Sequence, residues 1–119
     1  PTAADLRASR QGRHEIGSHG HHHYPRHCIN AQTFEAELIR SRQEIERVTG
    51  KVPRVFSYPF NSYLSGDGAV CGRHYVQVAT VDARPITLET PRLAIPRFTW
   101  PGPLRHGRQV RRWLWTGQL

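Results

Sequence analysis

The chain has 119 residues, enough for one domain with one modest core. Its formal charge is +8, almost all from arginine, because Lys51 is the only lysine. The basic residues are scattered and no aromatic-interleaved basic motif occurs, so the arginine content reads as compositional and nucleic acid is not an expected partner. No apolar run approaches the ~20 residues of a membrane span. The chain contains no methionine and begins at Pro1, which reads as a processed chain or a fragment. Cys28 and Cys71 form no Cys-x-x-Cys pair and read as two lone thiols, Cys28 being a further ligand candidate because it lies near the histidines.

Residues 2–11 predict a short helix, with Thr2 as N-cap, Asp5 in the first turn, Leu6 as apolar anchor and Gly12 as stop. Glu15-Ile16-Gly17 reads as the end of a strand, after which Gly17, Ser18 and Gly20 permit a sharp turn and Pro25 bars regular helix. Residues 31–49 carry the best helical pattern: Phe34, Leu38, Ile45 and Val48 make one apolar stripe, Asn30 or Thr33 caps the start, and Gly50 with Pro53 ends it. Phe34, Leu38 and Ile45 are expected to pack on a sheet. Residues 54–58 read as a strand stopped by Pro59, and Phe60-Asn61-Ser62-Tyr63 as a turn in which Asn61 can take positive φ. Residues 64–74 are ambiguous, because Gly66, Gly68 and Gly72 weaken a helix. Residues 75–81 predict a second strand, 82–92 a loop, and 93–98 a third strand interrupted by Pro96. A last amphipathic helix is expected over residues 104–115, with Val110, Trp113 and Leu114 inward. Alternation of strands and helices argues for a parallel α/β architecture.

The chemistry concentrates in residues 14–23, where five of the eight histidines fall. Neutral imidazole is the commonest protein ligand for a borderline metal such as zinc. His19 and His23 are four apart, so one helical turn or a tight loop brings both rings to one side, while His21 points away in either geometry. A strand opening into this loop would place the pair on the catalytic side of an α/β barrel or open sheet. The plainer alternatives are a solvated polar loop or adventitious metal binding.

Residues 12–25, GRHEIGSHGHHHYP, resemble the second motif of the polysaccharide deacetylases, carbohydrate esterase family four, in which a glycine-rich strand end leads into His-x-x-x-His and a proline. Phe56-Ser57-Tyr58-Pro59-Phe60-Asn61-Ser62-Tyr63 is similar to that family's third motif, and Leu93-Ala94-Ile95-Pro96-Arg97 to its late Leu-x-[Leu/Ile]-Pro-Arg strand. The resemblance implies a partial, distorted (β/α) barrel, read as one domain over residues 1–119 that lacks its N-terminal strands. A full barrel needs ~250 residues. It also implies removal of acetyl groups from an N-acetylated polysaccharide or oligosaccharide, with Zn2+ or another divalent metal.

Carried over residue by residue, His19 and His23 are the metal ligands, the Phe60 backbone N–H is the oxyanion donor, and Tyr58 and Pro59 line the substrate. His106, in Leu104-Arg105-His106, has the spelling of the family's general acid but follows Pro-Gly-Pro where an apolar strand is usual. Asn61 stands where glycine is usual, and Ser57 where many members carry an arginine. The family's metal-binding and base aspartates come from a Thr-Phe-Asp-Asp strand with no counterpart here, and Asp5, Asp67 and Asp82 lie in other contexts. The chain therefore reads as a deacetylase domain incomplete in itself. The alternative is a non-catalytic metal-binding or basic interaction module derived from that fold. The family's polymers are mostly envelope components, which implies a cell-envelope or secreted location for a full-length protein carrying an export signal. Neither reading specifies an oligomeric state.

Overall fold

The structure is a computed structural model, and it describes residues 2–12 and 14–98. Helix α1 (Ala3–Gln11) begins at a capping box: the Thr2 hydroxyl accepts from the Asp5 N–H while the Asp5 carboxylate accepts from the Thr2 N–H. Gly12 closes the helix, its N–H reaching the Ala8 and Ser9 carbonyls. Helix α2 (Ala31–Thr49) is capped by Asn30, whose side chain accepts from the Thr33 N–H, and ends at Gly50 with φ 72°, a left-handed conformation that glycine adopts without penalty. Both helices match their sequence expectations because caps and stop residues act locally.

Two parallel strands, β1 (Val55–Ser57) and β2 (Gln77–Ala79), pair in register with Phe56 opposite Val78. Single parallel bridges extend this sheet on both sides, Ser18 to Phe56 and Ala79 to Ile95. The order across the sheet thus follows the chain: the Ser18 segment, β1, β2, the Ile95 segment. The expected strand over residues 15–17 does not form, a single bridge standing just beyond it at Ser18, and the one over residues 93–98 is reduced to a bridge at Ile95. Pro96 has no N–H to extend the second of them. Residues 64–74, ambiguous in sequence, hold the short helix α3 (Asp67–Gly72). The expected helix over residues 104–115 lies outside the described residues. The fold is α/β and, among the described residues, open: its strands do not close into a barrel.

The core lies between α2, α3 and one face of the sheet, built from Phe34, Leu38, Phe56, Tyr58, Cys71, Tyr75 and Val78. Strand alternation decides the faces: Phe56 points into this core, so Val55 and Ser57 point away from it. The apolar stripe of α2 is divided between two partners. Phe34 and Leu38 pack on the sheet. Ile45 and Val48 instead line a shallow cavity of about 250 Å³ with Ala3 and Leu6 of α1, which corrects the expectation that Ile45 meets the sheet. A 19-residue helix outruns strands of three residues, so its far end needs another cover.

A buried ion pair ties the histidine loop to this core. Arg26 follows Pro25 in a short 3-10 turn (Arg26–Cys28), and its Nε lies 3.0 Å from both carboxylate oxygens of Asp67. The guanidinium sits 4.8 Å above the Phe34 ring and donates to the Ile29 carbonyl at 2.7 Å. The second Asp67 oxygen also accepts from the Leu64 N–H at 2.7 Å, so the pair is hydrogen-bonded on both sides.

Candidate functional site

The outer face of the sheet carries His19. Ser18 is pinned there three ways: its N–H donates to the Val55 carbonyl, its own carbonyl accepts from Ser57, and its hydroxyl meets that of Ser41 at 2.7 Å in the core. With Ser18 turned inward, His19 emerges on the opposite face beside Ser57. Its Nδ1 lies 2.7 Å from the Ser57 carbonyl oxygen. A carbonyl only accepts, so Nδ1 carries the hydrogen and Nε2 of the neutral ring keeps its lone pair. Metal-bound histidines are commonly oriented in this way, by a backbone carbonyl on the other ring nitrogen.

His23 returns to the same place. Its ring centroid is 4.9 Å from that of His19 and 4.6 Å from that of Phe60. The turn between the two histidines uses Gly20 at φ 83°, a conformation only glycine takes freely. His21 and His22 form a separate edge-to-face pair, with ring centroids 4.5 Å apart. His22 also stacks on Tyr24 at 5.3 Å. The expectation that His19 and His23 converge while His21 stays apart therefore corresponds to the observed arrangement of rings.

The Pro59–Asn61 turn comes to the pair from the end of β1. Parallel strands end on one side, so the loops after the Ser18 segment and β1 share a face although about forty residues separate them. No hydrogen bond to the Phe60 N–H occurs among the described residues. Phe60 and Asn61 have φ of 56° and 51°, and His23 has 61°. The three non-glycine residues with positive φ among those described thus cluster at one spot. Such conformations cost roughly 1–2 kcal/mol each and persist where the surroundings over-determine them. Asn61 is held by its side-chain oxygen, which accepts the Val81 N–H at 2.8 Å.

The Phe60 ring is 68% exposed, so little packing repays its strained backbone. Phe60→Gly is accordingly expected to keep or raise stability, by up to about 1 kcal/mol, while Phe60→Val lowers it because a β-branched residue fits positive φ poorly. Thermal melts of the two variants check this, and a drop of several degrees for Phe60→Gly would show that the ring is a structural prop.

Tyr58, expected to line the substrate, is a core residue only 3% exposed. Its hydroxyl accepts from the Cys71 thiol at 3.5 Å, and burial pushes its ionisation far above the ordinary tyrosine range. Its side chain is not open to a ligand. Pro59 is buried as well. Burial also pushes the Cys71 thiol up to about 11, so it is not a nucleophile at neutral pH. Cys28 is exposed and both cysteines are free. His106, the general-acid candidate, lies outside the described residues.

Sequence reasoning missed two contributors. Arg97 donates to the Ser57 hydroxyl at 2.8 Å and to the Thr80 carbonyl at 3.1 Å, which brings a guanidinium to the residue that orients His19. His19, Ser57, Ala79 and Arg97 line an open cavity of about 580 Å³ on this face. The other is Glu37 of α2, a buried carboxylate that accepts from the N–H groups of His21 and His22 and from the His22 ring. Burial pushes the Glu37 carboxyl up, but the hydrogen bonds from His22 and His21 outweigh it and hold it below the ordinary glutamate value. Its grip on the loop is therefore complete above that ordinary value and is lost only as pH falls through the lowered folded one. Arg97 closes the Leu-x-[Leu/Ile]-Pro-Arg stretch, but neither its partners nor those of Glu37 are legible in the sequence, because each contact spans fifteen residues or more.

A family model for polysaccharide deacetylases matches residues 3–69, the span that holds both histidines and the Phe60 turn. The chain belongs to the polysaccharide deacetylase family. Solved structures agree on the fold. A polysaccharide deacetylase from Bacillus cereus superposes with a TM-score of 0.71 at 22% identity, covering 82% of this chain and 31% of that one. The BpsB deacetylase domain from Bordetella bronchiseptica (TM-score 0.68, 19% identity) covers 82% of this chain and 48% of its own. A de-N-acetylase from Aggregatibacter actinomycetemcomitans gives a TM-score of 0.68 at 18% identity, covering 82% and 47%. No curated protein matches. This deacetylase-family chain thus spans about a third of the length of the Bacillus cereus structure.

Two neutral imidazoles suit a borderline divalent ion, so the donor set fits part of the metal site the family implies. A catalytic zinc site takes three protein ligands. Among the described residues no group of three or more histidine, cysteine, aspartate or glutamate side chains could hold an ion. The aspartates are engaged elsewhere: Asp5 caps α1, Asp67 pairs with Arg26, and Asp82 accepts from the Tyr63 and Thr80 hydroxyls.

Proposed function

We propose that this chain supplies the histidine half of a metal-dependent N-deacetylase site acting on an N-acetylated sugar polymer. The observation that carries the reading is the pairing of His19 with His23, with Nδ1 of His19 committed to the Ser57 carbonyl and Phe60 packed against His23. His19 and His23 would hold the ion, zinc by its preference for imidazole. Such an ion, when bound, lowers the pKa of a water to about 7 and polarises the acetyl carbonyl. The Phe60 N–H would donate to that carbonyl oxygen as charge develops on it, and removing one such donor typically costs ~3–4 kcal/mol of transition-state stabilisation. Pro59, without an N–H, offers no competing donor. Arg97 would hold Ser57, and through it His19, in place. The base and the third ligand would come from an Asp-Asp strand like the family's, placed beside Ser18. Residues 1–119 would then form one domain with that strand.

The second reading, a non-catalytic metal-binding or basic interaction module, is favoured by the absence of a third ligand group among the described residues. Zinc titration by calorimetry and an acetate-release assay on an N-acetylglucosamine oligomer separate the two. The 119-residue chain is expected to bind zinc weakly and to release no acetate. His19→Ala should abolish the binding and His21→Ala should change it little. A chain extended at Pro1 by a Thr-Phe-Asp-Asp strand should release acetate, and an extended chain that stays inert while binding zinc would favour the module. Acetate release that survives His19→Ala would rule out this mechanism.

A further inference from the structure

Glu37 lies on the second turn of α2, outside every motif that resembles the family. Its side chain is 8% exposed, and a buried charge is tolerable only when it is fully hydrogen-bonded. All of its hydrogen-bond donors come from one short stretch. Oε2 accepts the consecutive backbone N–H groups of His21 and His22, at 3.0 and 2.6 Å. Oε1 accepts Nδ1–H of His22 at 2.6 Å. Successive backbone N–H groups that converge in this way form a concave anion receptor, and Glu37 fills it from within the protein.

The consequence for the histidines is geometric. The loop is anchored at its middle, so Gly20 on one side and His23 on the other take up the reversal, with φ of 83° and 61°. That reversal returns the His23 ring to His19. The His22 ring is drawn to Oε1 and so turned toward α2. Of the four neighbouring histidines, His19 meets His23 and His21 meets His22, and the anchor on α2 falls on the second pair.

We infer that Glu37 is the positioning residue of the histidine pair: its carboxylate, held on α2, clamps the His21 and His22 amides and so sets His23 against His19. The inference rests on the reading of that pair as a metal half-site for its functional meaning, and on the clamp geometry for its structural content. In Glu37→Gln the amide oxygen can still accept backbone N–H groups, but its NH2 takes the place of the acceptor for Nδ1–H of His22, so the charge-assisted bonds are lost and the ring keeps its contact only by changing tautomer. In Glu37→Ala the receptor is empty.

The test uses the whole chain, with nuclear magnetic resonance for the loop and zinc calorimetry for the site. In the wild-type chain, scalar couplings across the hydrogen bonds should link the His21 and His22 amide nitrogens to the Glu37 carboxyl carbon. Their absence overturns the clamp without any substitution. In Glu37→Gln and Glu37→Ala the ring-to-ring contact between His19 and His23 should weaken, and zinc affinity should fall about 10–100-fold, the usual loss when a ligand's supporting partner is removed. Ile45→Ala, on the same helix but packed against α1, should lower the melting temperature and leave both readouts unchanged. If Ile45→Ala lowers zinc affinity as much as Glu37→Gln does, the loss belongs to general stability and the positioning role falls. Unchanged loop contacts, or zinc affinity within twofold of wild type in both Glu37 variants, also overturn it. Should the wild-type chain bind no zinc, the metal reading fails on its own. The couplings and the ring contact then decide the clamp.

Discussion

Asp67→Ala is expected to destabilise this chain by about 3–5 kcal/mol, the usual result of removing one partner from a buried ion pair. The Asp67 and Arg26 side chains are 5% and 9% exposed, so little water is available to replace the lost carboxylate. The damage is not confined to the pair. The Leu64 N–H loses its acceptor, and the guanidinium above Phe34 stays charged, because arginine does not deprotonate in proteins. The attraction itself is not the source of the loss, since desolvation consumes most of it. Replacing both partners by apolar residues of similar size, Arg26→Met with Asp67→Leu, should therefore recover much of the stability. Urea denaturation of the single and double variants measures this. A single-variant loss under about 1 kcal/mol, the range of exposed pairs, would show that water reaches the pair in solution.

Leu38→Ala is expected to cost about 2–5 kcal/mol, because the side chain is fully buried against the face of the sheet and its removal leaves a cavity. Leu38 lies where α2 crosses the sheet, in one cluster with Phe34, Phe56 and Val78. The helix is fixed there by polar contacts too, since the Leu38 carbonyl accepts from the Tyr75 hydroxyl at 2.9 Å and from Ser41 at 3.2 Å. These bonds resist the backbone shift that would close the void. Ile45→Ala should cost distinctly less, because Ile45 is half-buried on the side facing α1. Chemical denaturation of both variants side by side provides the check. Equal losses would mean that the two ends of α2 are equally well packed.

The bounds of helix α2 were legible, residues 31–49 with a stop at Gly50, although the sequence left its cap between Asn30 and Thr33; the capping of α1 by Thr2 was legible as well. Caps, stops and 3.6-residue periodicity act over one or two turns, so their signals are written next to one another. The histidine spacing and the Tyr58-Pro59-Phe60 turn were legible for the same reason, each being a compact stretch. The strands were less so. A run such as residues 75–81 shows β-rich composition, but only three of those residues find a ladder partner. The extent of a strand is set by its neighbour, which local pattern does not name.

What the sequence by itself determined is a set of local facts: where α2 runs, that His19 and His23 lie four apart, and that Asn61 tolerates positive φ. The tertiary structure alone decided which groups meet. It sent Tyr58 into the core, because the alternation of β1 is counted from Phe56, the residue that faces α2. It set Phe60 itself at φ 56°, against the preference of a bulky residue, because Asn61 is tied to Val81 across the turn. It gave His19 its tautomer through the Ser57 carbonyl, thirty-eight residues away, and the loop its shape through Glu37. The physical reason is common to all four. A hydrogen bond or ring contact requires atoms within a few ångströms, and packing brings together residues whose separation along the chain carries no information about that distance.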